Sequence, residues 1–178
     1  MRSHTRNMPV SNENSRALYD GLKACGIRLL STVPESWVID LVRMADRDPA
    51  MTLVHAASEA EAAGVSMGAY LSGIKSAVVM QNHGVLAAAN AIVSGVQLYR
   101  IPLLMLVSYR GEFGERDPWQ TEGGAITEEI LRAMRIPFAC LEAPDQVVPR
   151  IAAAQALAHS ASKPVALLLR RDLLWNDA

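Results

Sequence analysis

Six short apolar runs, each parted from the next by a stretch with helical spacing, constrain this chain more than any other feature. They cover residues 28–33, 52–55, 76–80, 103–107, 138–141 and 165–169, and several read as unbroken aliphatic runs rather than as an apolar–polar alternation. A strand with no polar face is covered on both sides, as in a parallel sheet. Between the runs, Leu18, Leu22 and Cys25 mark one face of a helix stopped at Gly26. Trp37, Val38, Leu41, Val42 and Met44 recur at helical spacing up to Asp48-Pro49. A helix of small residues opens at Ser58 and ends near Gly73; an alanine-rich one runs to about Tyr99. Further helices are expected over 127–135 and about 145–160, with a long loop over 108–125. Strict alternation of this kind needs crossover connections, so the expected fold is a single doubly wound α/β domain: a six-stranded parallel sheet flanked by helices. Residues 1–13 are polar and read as a flexible N-terminal tail, leaving 14–178 as the domain.

Charge and composition exclude several classes. Seventeen Lys plus Arg against eighteen Asp plus Glu leave a net charge of −1, which is no footprint for nucleic acid. No apolar run reaches the ~18 residues of a membrane span, and the first 13 residues hold no secretory signal, so the expected location is cytoplasmic. Cys25 and Cys140 lie far apart in apolar segments and read as two buried thiols. Aromatics are only 5% of the chain while alanine abounds, which suits close packing of helices, sheet and subunits rather than a roomy aromatic pocket.

Ligands of open parallel sheets lie at the carboxyl ends of the strands. The candidate chemistry therefore sits in 33–36, 55–61, 81–84 and 108–120, the last within a loop long enough to imply function. There is no G-x-x-x-x-G-K-[ST] loop, no G-x-G-x-x-G after the first strand and no G-x-S-x-G elbow. Four scattered His and two distant Cys make no metal site. Any cofactor is held elsewhere or shared with another chain. Ser58-Glu59-Ala60-Glu61 fits a capping box in which Glu61 reaches back to the Ser58 amide. That accounts for Glu61 and leaves Glu59, at the first helical position, only partly explained by the helix dipole.

Glu59, followed nine residues later by Gly68-Ala69-Tyr70 and then Gly73, resembles the E-x8-G stretch of the pyrimidine-binding (Pyr) domain of thiamine-diphosphate enzymes. Met80-Gln81-Asn82-His83-Gly84, Ile101-Pro102-Leu103-Leu104 and the S-x-R-G-E-x-G run from Ser108 to Gly114 narrow the match, with Gln120, Gly124 and Thr127 completing it. Together, over about 14–174, they are similar to the sulfopyruvate and phosphonopyruvate decarboxylase family. Single-chain members add a second domain carrying a G-D-G…N motif for diphosphate and Mg2+; no G-D-G occurs here. The resemblance is therefore to the α subunit of the two-subunit enzymes. It implies thiamine diphosphate as cofactor, with Mg2+ held by a β subunit carrying G-D-G…N, in an α/β hetero-oligomer acting on a small anionic 2-oxo acid. Sulfopyruvate leads, phosphonopyruvate or another short 2-oxo acid is the alternative substrate, and the non-enzymatic alternative is a Pyr-like scaffold or regulatory subunit.

The same resemblance implies the site residues. Glu59 would hydrogen-bond N1′ of the cofactor's aminopyrimidine, with Pro34, Gln81 and Asn82 beside the ring. His83 stands where the family has a small residue, and Leu86 and Ala87 replace the family's Gly and Asn. It is a candidate for proton transfer or substrate binding, against a histidine that merely packs. Arg110, Arg116 and Gln120 are candidates for the substrate's anionic tail, the arginines equally for ion pairs within their own loop. Glu35 and Ser36 are further candidates to flank the ring, Glu35 equally as a helix-start residue, and Trp119 reads as a lid or interface anchor.

Overall fold

The computed structural model describes residues 11–175. Of the expected tail, the first ten residues lie outside the described residues. Ser11 begins the fold: its side chain accepts from the Asn14 amide and caps helix α1 (Asn12–Ala24). Strand β1 (Leu29–Thr32) follows, then a 3-10 turn at Ser36–Val38 leading into α2 (Ile39–Arg47), β2 (Thr52–His55) and the small-residue helix α3 (Glu59–Leu71). Next come β3 (Ser76–Gln81), α4 (Asn82–Ala91) with a π-helical continuation over Ile92–Gln97, and β4 (Leu103–Ser108). The chain closes with α5 (Pro118–Ala133), β5 (Phe138–Leu141), α6 (Val147–Ala161), β6 (Pro164–Leu169) and the short α7 (Arg171–Leu174).

All six strands pair in parallel, in the order β2-β1-β3-β4-β6-β5. The unbroken apolar runs behave as expected: every residue of β4 and β6 is buried, whereas the edge strand β2 has exposed ends. Two cores lie on opposite faces. One gathers Leu18, Leu22, Leu41 and Ile151 from α1, α2 and α6, with Trp37 of the 3-10 turn, over the sheet. The other packs Ala62, Ala63, Val85, Ala88 and Leu131 from α3, α4 and α5. Both are made largely of fully buried aliphatic side chains, each worth ~1.5–3 kcal/mol of burial, so the sheet is a rigid platform for whatever its loops carry.

One expectation fails. The long loop is only nine residues: α5 begins at Pro118, leaving 109–117 as the connection. Gly123-Gly124 looked like loop residues because glycine is a poor helix former, by ~1 kcal/mol each. Their missing side chains instead let α5 press against its neighbours. A Cβ on Gly124 would lie 2.6 Å from the Arg110 carbonyl oxygen, and one on Gly123 would lie 2.1 Å from His83 Nε2. Thr127, expected near a helix start, is mid-helix and fully buried, its hydroxyl donating to the Gly123 carbonyl at 2.6 Å.

Candidate active site

In this sheet the chain leaves β1 toward β2 and returns to place β3 on β1's other side, so a crevice opens between the carboxyl ends of β1 and β3. Pro34, exposed, follows β1; Gln81, half-buried, ends β3 and stands at the N-cap of α4 without capping it. Three helices present their first turns at this edge: α3 with Glu59, α4 with His83 and Gly84, and α5 with Gln120 and Gly123.

Ser58 caps α3 by accepting from the Glu61 amide at 3.2 Å, as the capping box requires. The reciprocal bond differs by one residue: Glu61 Oε2 accepts from the Ala57 amide at 2.7 Å, not from Ser58. Glu61 is thereby used up in shaping the helix start. Glu59 is not. Its half-buried carboxylate has no hydrogen bond or ion pair among the described residues, and its side chain lies flat over Gly84, where an added Cβ would be 2.5 Å from Cγ and 2.8 Å from Oε1. Gly84 is therefore the floor on which Glu59 rests, a role that the sequence showed only as part of a polar break.

His83, one residue earlier, turns its ring against Gly123; Nδ1 is buried without a hydrogen-bond partner. Gln120 is 8% exposed and its Oε1 is likewise buried and unpartnered. Unsatisfied buried polar atoms are rare, and such groups gather where something else completes them.

Asn82 is a correction. It was expected beside a cofactor ring, yet it is fully buried and its amide is saturated: Nδ2 donates to the Arg110 carbonyl at 3.0 Å and to Thr127 Oγ1 at 2.9 Å, and Oδ1 accepts from the Arg110 amide at 3.3 Å. It is a strut joining α4, the 109–117 loop and α5. Arg110 is a second correction. It is 6% exposed, and its guanidinium donates from Nε and Nη2 to Glu115 at 2.7 and 2.9 Å and from Nη2 to Asp117 at 2.8 Å, while lying 4.4 Å above the Trp37 ring. Glu115 also accepts from the amides of Gly111, Arg116 and Asp117. These bonds, the Arg110 pair foremost, hold its carboxyl down at about 2. The loop is thus wound round one buried ion pair, and Glu115 is the hub that residue-by-residue reading missed. Arg116, by contrast, is exposed and its side chain has no partner among the described residues.

Glu35 starts the 3-10 turn after β1, as one of its two readings had it. Its Oε2 accepts from the Trp37 amide at 3.0 Å, which explains the 3-10 turn, but Oε1 is buried without a partner. Burial pushes its carboxyl up; the Trp37 amide, Ser108 and Arg110 pull the other way, though Ser108 Oγ closes no hydrogen bond. His55 is exposed at the end of β2, and Trp119 is 70% exposed at the start of α5. Among the described residues no group of three or more His, Cys, Asp or Glu could hold a metal ion, and no helix is long and apolar enough to cross a membrane.

The family model for the thiamine pyrophosphate enzyme N-terminal TPP binding domain matches residues 13–127. The chain belongs to that family. It is 36% identical over 157 residues to the sulfopyruvate decarboxylase subunit alpha of Methanothermobacter thermautotrophicus, a match covering 88% of this chain and 95% of the relative. The subunit of the same name from Methanocaldococcus jannaschii is 34% identical over 91% of this chain and 95% of its own length. The phosphonopyruvate decarboxylase of Streptomyces viridochromogenes is 29% identical over 90% of this chain, which spans only 41% of that protein. In fold, the chain superposes with a TM-score of 0.71 on a 2-oxoglutarate:ferredoxin oxidoreductase from Magnetococcus marinus, at 15% identity, covering 91% of this chain and 29% of the other. The six-stranded parallel domain is thus of the thiamine-diphosphate Pyr type.

The residues fit such a cofactor. An aminopyrimidine ring needs a carboxylate free to share a proton, and Glu59 is free, half-buried and held in place by Gly84. The outer face of α3, turned away from Glu59, is bare: Gly64 and Gly68 have nothing within 4 Å of where a Cβ would stand.

Proposed function

We propose that this chain is the α half of a two-subunit thiamine-diphosphate-dependent 2-oxo-acid decarboxylase, acting on 3-sulfopyruvate to release CO2 and sulfoacetaldehyde. The observation that carries the reading is the unpartnered Glu59 carboxylate resting on Gly84. A carboxylate so placed is supported at its root and unmatched at its tip, which is how half of a shared site would look. The relatives named as alpha subunits, matched over 95% of their length, support the same division of labour. The partner is then a β subunit with a G-D-G…N motif, which holds the diphosphate through Mg2+, and both work in the cytoplasm.

When bound, thiamine diphosphate supplies the nucleophilic ring carbon and the electron sink for decarboxylation. This chain positions the ring and manages protons. Glu59 would hold the ring through its pyrimidine nitrogen, with Pro34 and Gln81 beside it. His83, packed on Gly123, is the group to deliver a proton to the product, and Gln120 lies on the same helix surface. Arg116 is the cation available to the substrate's sulfonate, because the Arg110 fork is already engaged by Glu115 and Asp117. A solvated, mobile arginine accommodates either sulfonate or phosphonate, so phosphonopyruvate is the second substrate to try.

The test is to co-express the chain with a G-D-G-bearing partner and follow cofactor-dependent CO2 release from both 2-oxo acids. The complex turns over and the chain alone does not. Glu59→Gln assembles normally and loses about 10²–10⁴ in kcat, the range for a missing acid–base group. Near-normal turnover by that variant refutes the assignment, and an assembled wild-type complex inactive on every 2-oxo acid returns the chain to the scaffold reading.

A further inference from the structure

Far from Glu59, at the amino ends of β4, β6 and β5, a cavity of about 480 Å3 is lined by Arg100, Arg135, Lys163, Ser160 and Ser162. Its position follows from the topology: these three strands are neighbours, and each is entered from a helix end that carries one of the cations. The six-residue β4 separates this edge from the catalytic one by about 20 Å at ~3.3 Å per residue.

The residues that close the helices there are unusual for the backbone they adopt. Five helix ends close with the same pair of bonds, in which a left-handed residue and its successor donate back into the last turn. At the ends of α1 and α3 the left-handed residue is glycine, Gly26 (φ 76°) and Gly73 (φ 78°). At the three ends before β4, β5 and β6 it is Arg100 (φ 54°), Arg135 (φ 56°) and Ser162 (φ 50°), the only non-glycine residues of positive φ among those described. All three line the one cavity. Strain kept at several positions round a single cavity points to function there. None of Arg100, Arg135 and Lys163 has an ion pair or side-chain hydrogen bond among the described residues; only the carboxyl ends of the three helices offset their charge. Gln97 Nε2, on the same wall, donates to the Met134 carbonyl and covers one of the exposed helix-end oxygens.

We infer that this cavity is a second binding site, for a small multiply charged anion of the phosphate-ester or diphosphate class. Two guanidinium forks match paired phosphate oxygens, an ammonium adds a third charge, and the Ser160 and Ser162 hydroxyls stand ready to donate. The volume falls in the range of small-molecule sites and exceeds what inorganic phosphate alone would fill. The site is independent of the decarboxylase reading.

Calorimetric titration and thermal melting of the full chain with pyrophosphate, against chloride of matched ionic strength, test this. Pyrophosphate is expected to bind saturably in the millimolar range or tighter and to raise the melting temperature. The double variant R100G/R135G removes both forks while giving each position the residue that its backbone prefers, so it folds; its affinity should fall at least tenfold, and that of K163Q several-fold. Equal binding by R100G/R135G, or no binding by the wild type beyond the chloride control up to 10 mM, overturns the inference. So does binding by the chain alone that vanishes in the partner complex saturated with thiamine diphosphate, which would make the cavity part of the subunit contact.

Discussion

Replacing Gly84 by alanine separates the position of Glu59 from the stability of the chain. The new Cβ would stand 2.5 Å from Glu59 Cγ, 2.8 Å from Oε1 and 2.9 Å from Cδ. Carbon atoms settle at ~3.5 Å or more, so the Glu59 side chain must retreat by about 1 Å. That retreat is inexpensive, because the displaced group is flexible and half-exposed; an off-rotamer side chain costs ~0.5–1.5 kcal/mol. Alanine returns up to ~1 kcal/mol of helix propensity to α4, so the melting temperature should move by only a few degrees in either direction. Catalysis has no such tolerance: a 1 Å misplacement can cost ~10²-fold, equivalent to ~2.7 kcal/mol in the barrier. The assay is kcat of the assembled complex with 2-oxo acid, run beside differential scanning calorimetry of the chain alone. A fold as stable as wild type with kcat down about a hundredfold is the expected result. If kcat stays within about threefold of wild type, Gly84 does not set the working position of Glu59, and the reasoning fails.

Four further outcomes follow from the same structure. Gly68→Ala, with nothing within 4 Å, should stabilise the isolated chain by ~0.5–1 kcal/mol yet weaken assembly; unchanged subunit affinity by calorimetry would show that α3 does not pack closely on a partner. Gly111→Ala must strain a backbone at φ 88° and place Cβ 2.2 Å from the Gln120 carbonyl oxygen, so a loss of ~2 kcal/mol or more is expected in urea melts, and a neutral result would contradict the loop geometry. Glu115, held at about 2, contributes stability that is complete above the ordinary Glu range near 4.3 and is lost as pH falls through about 2. Amides of 111–117 should therefore exchange faster across that window, and Glu115→Ala, which deprives buried Arg110 of its main partner, should cost ~3 kcal/mol or more. Glu35 runs the other way: its carboxyl is raised by burial, so wild-type stability declines as pH rises above the ordinary Glu range. Glu35→Gln should be the more stable protein at neutral pH, its advantage vanishing below about pH 4; an advantage that grew on acidification would refute the burial argument.

Periodicity was enough for the architecture of this protein. Strands such as Leu103–Ser108 and Pro164–Leu169 can be covered only on both faces, and alternation with helices leaves little besides a parallel, doubly wound sheet. The cap at Ser58 was equally local, because a capping box is a matter of a few consecutive residues. What the sequence could not reveal depends on approach between distant segments. Gly123-Gly124 reads as loop until His83 and Arg110 are brought against it, and Gly84 reads as a break until Glu59 lies across it. Asn82 and Arg110 carry groups suited to ligands, and only the packing of α4, α5 and the 109–117 loop shows those groups engaged with one another. A polar side chain's chemistry is written in its type. Whether its donors and acceptors are still free is decided by burial and by the partners that the fold brings up, and that is what tells Glu59, unpartnered at the end of the sheet, from Glu115, closed within the 109–117 loop.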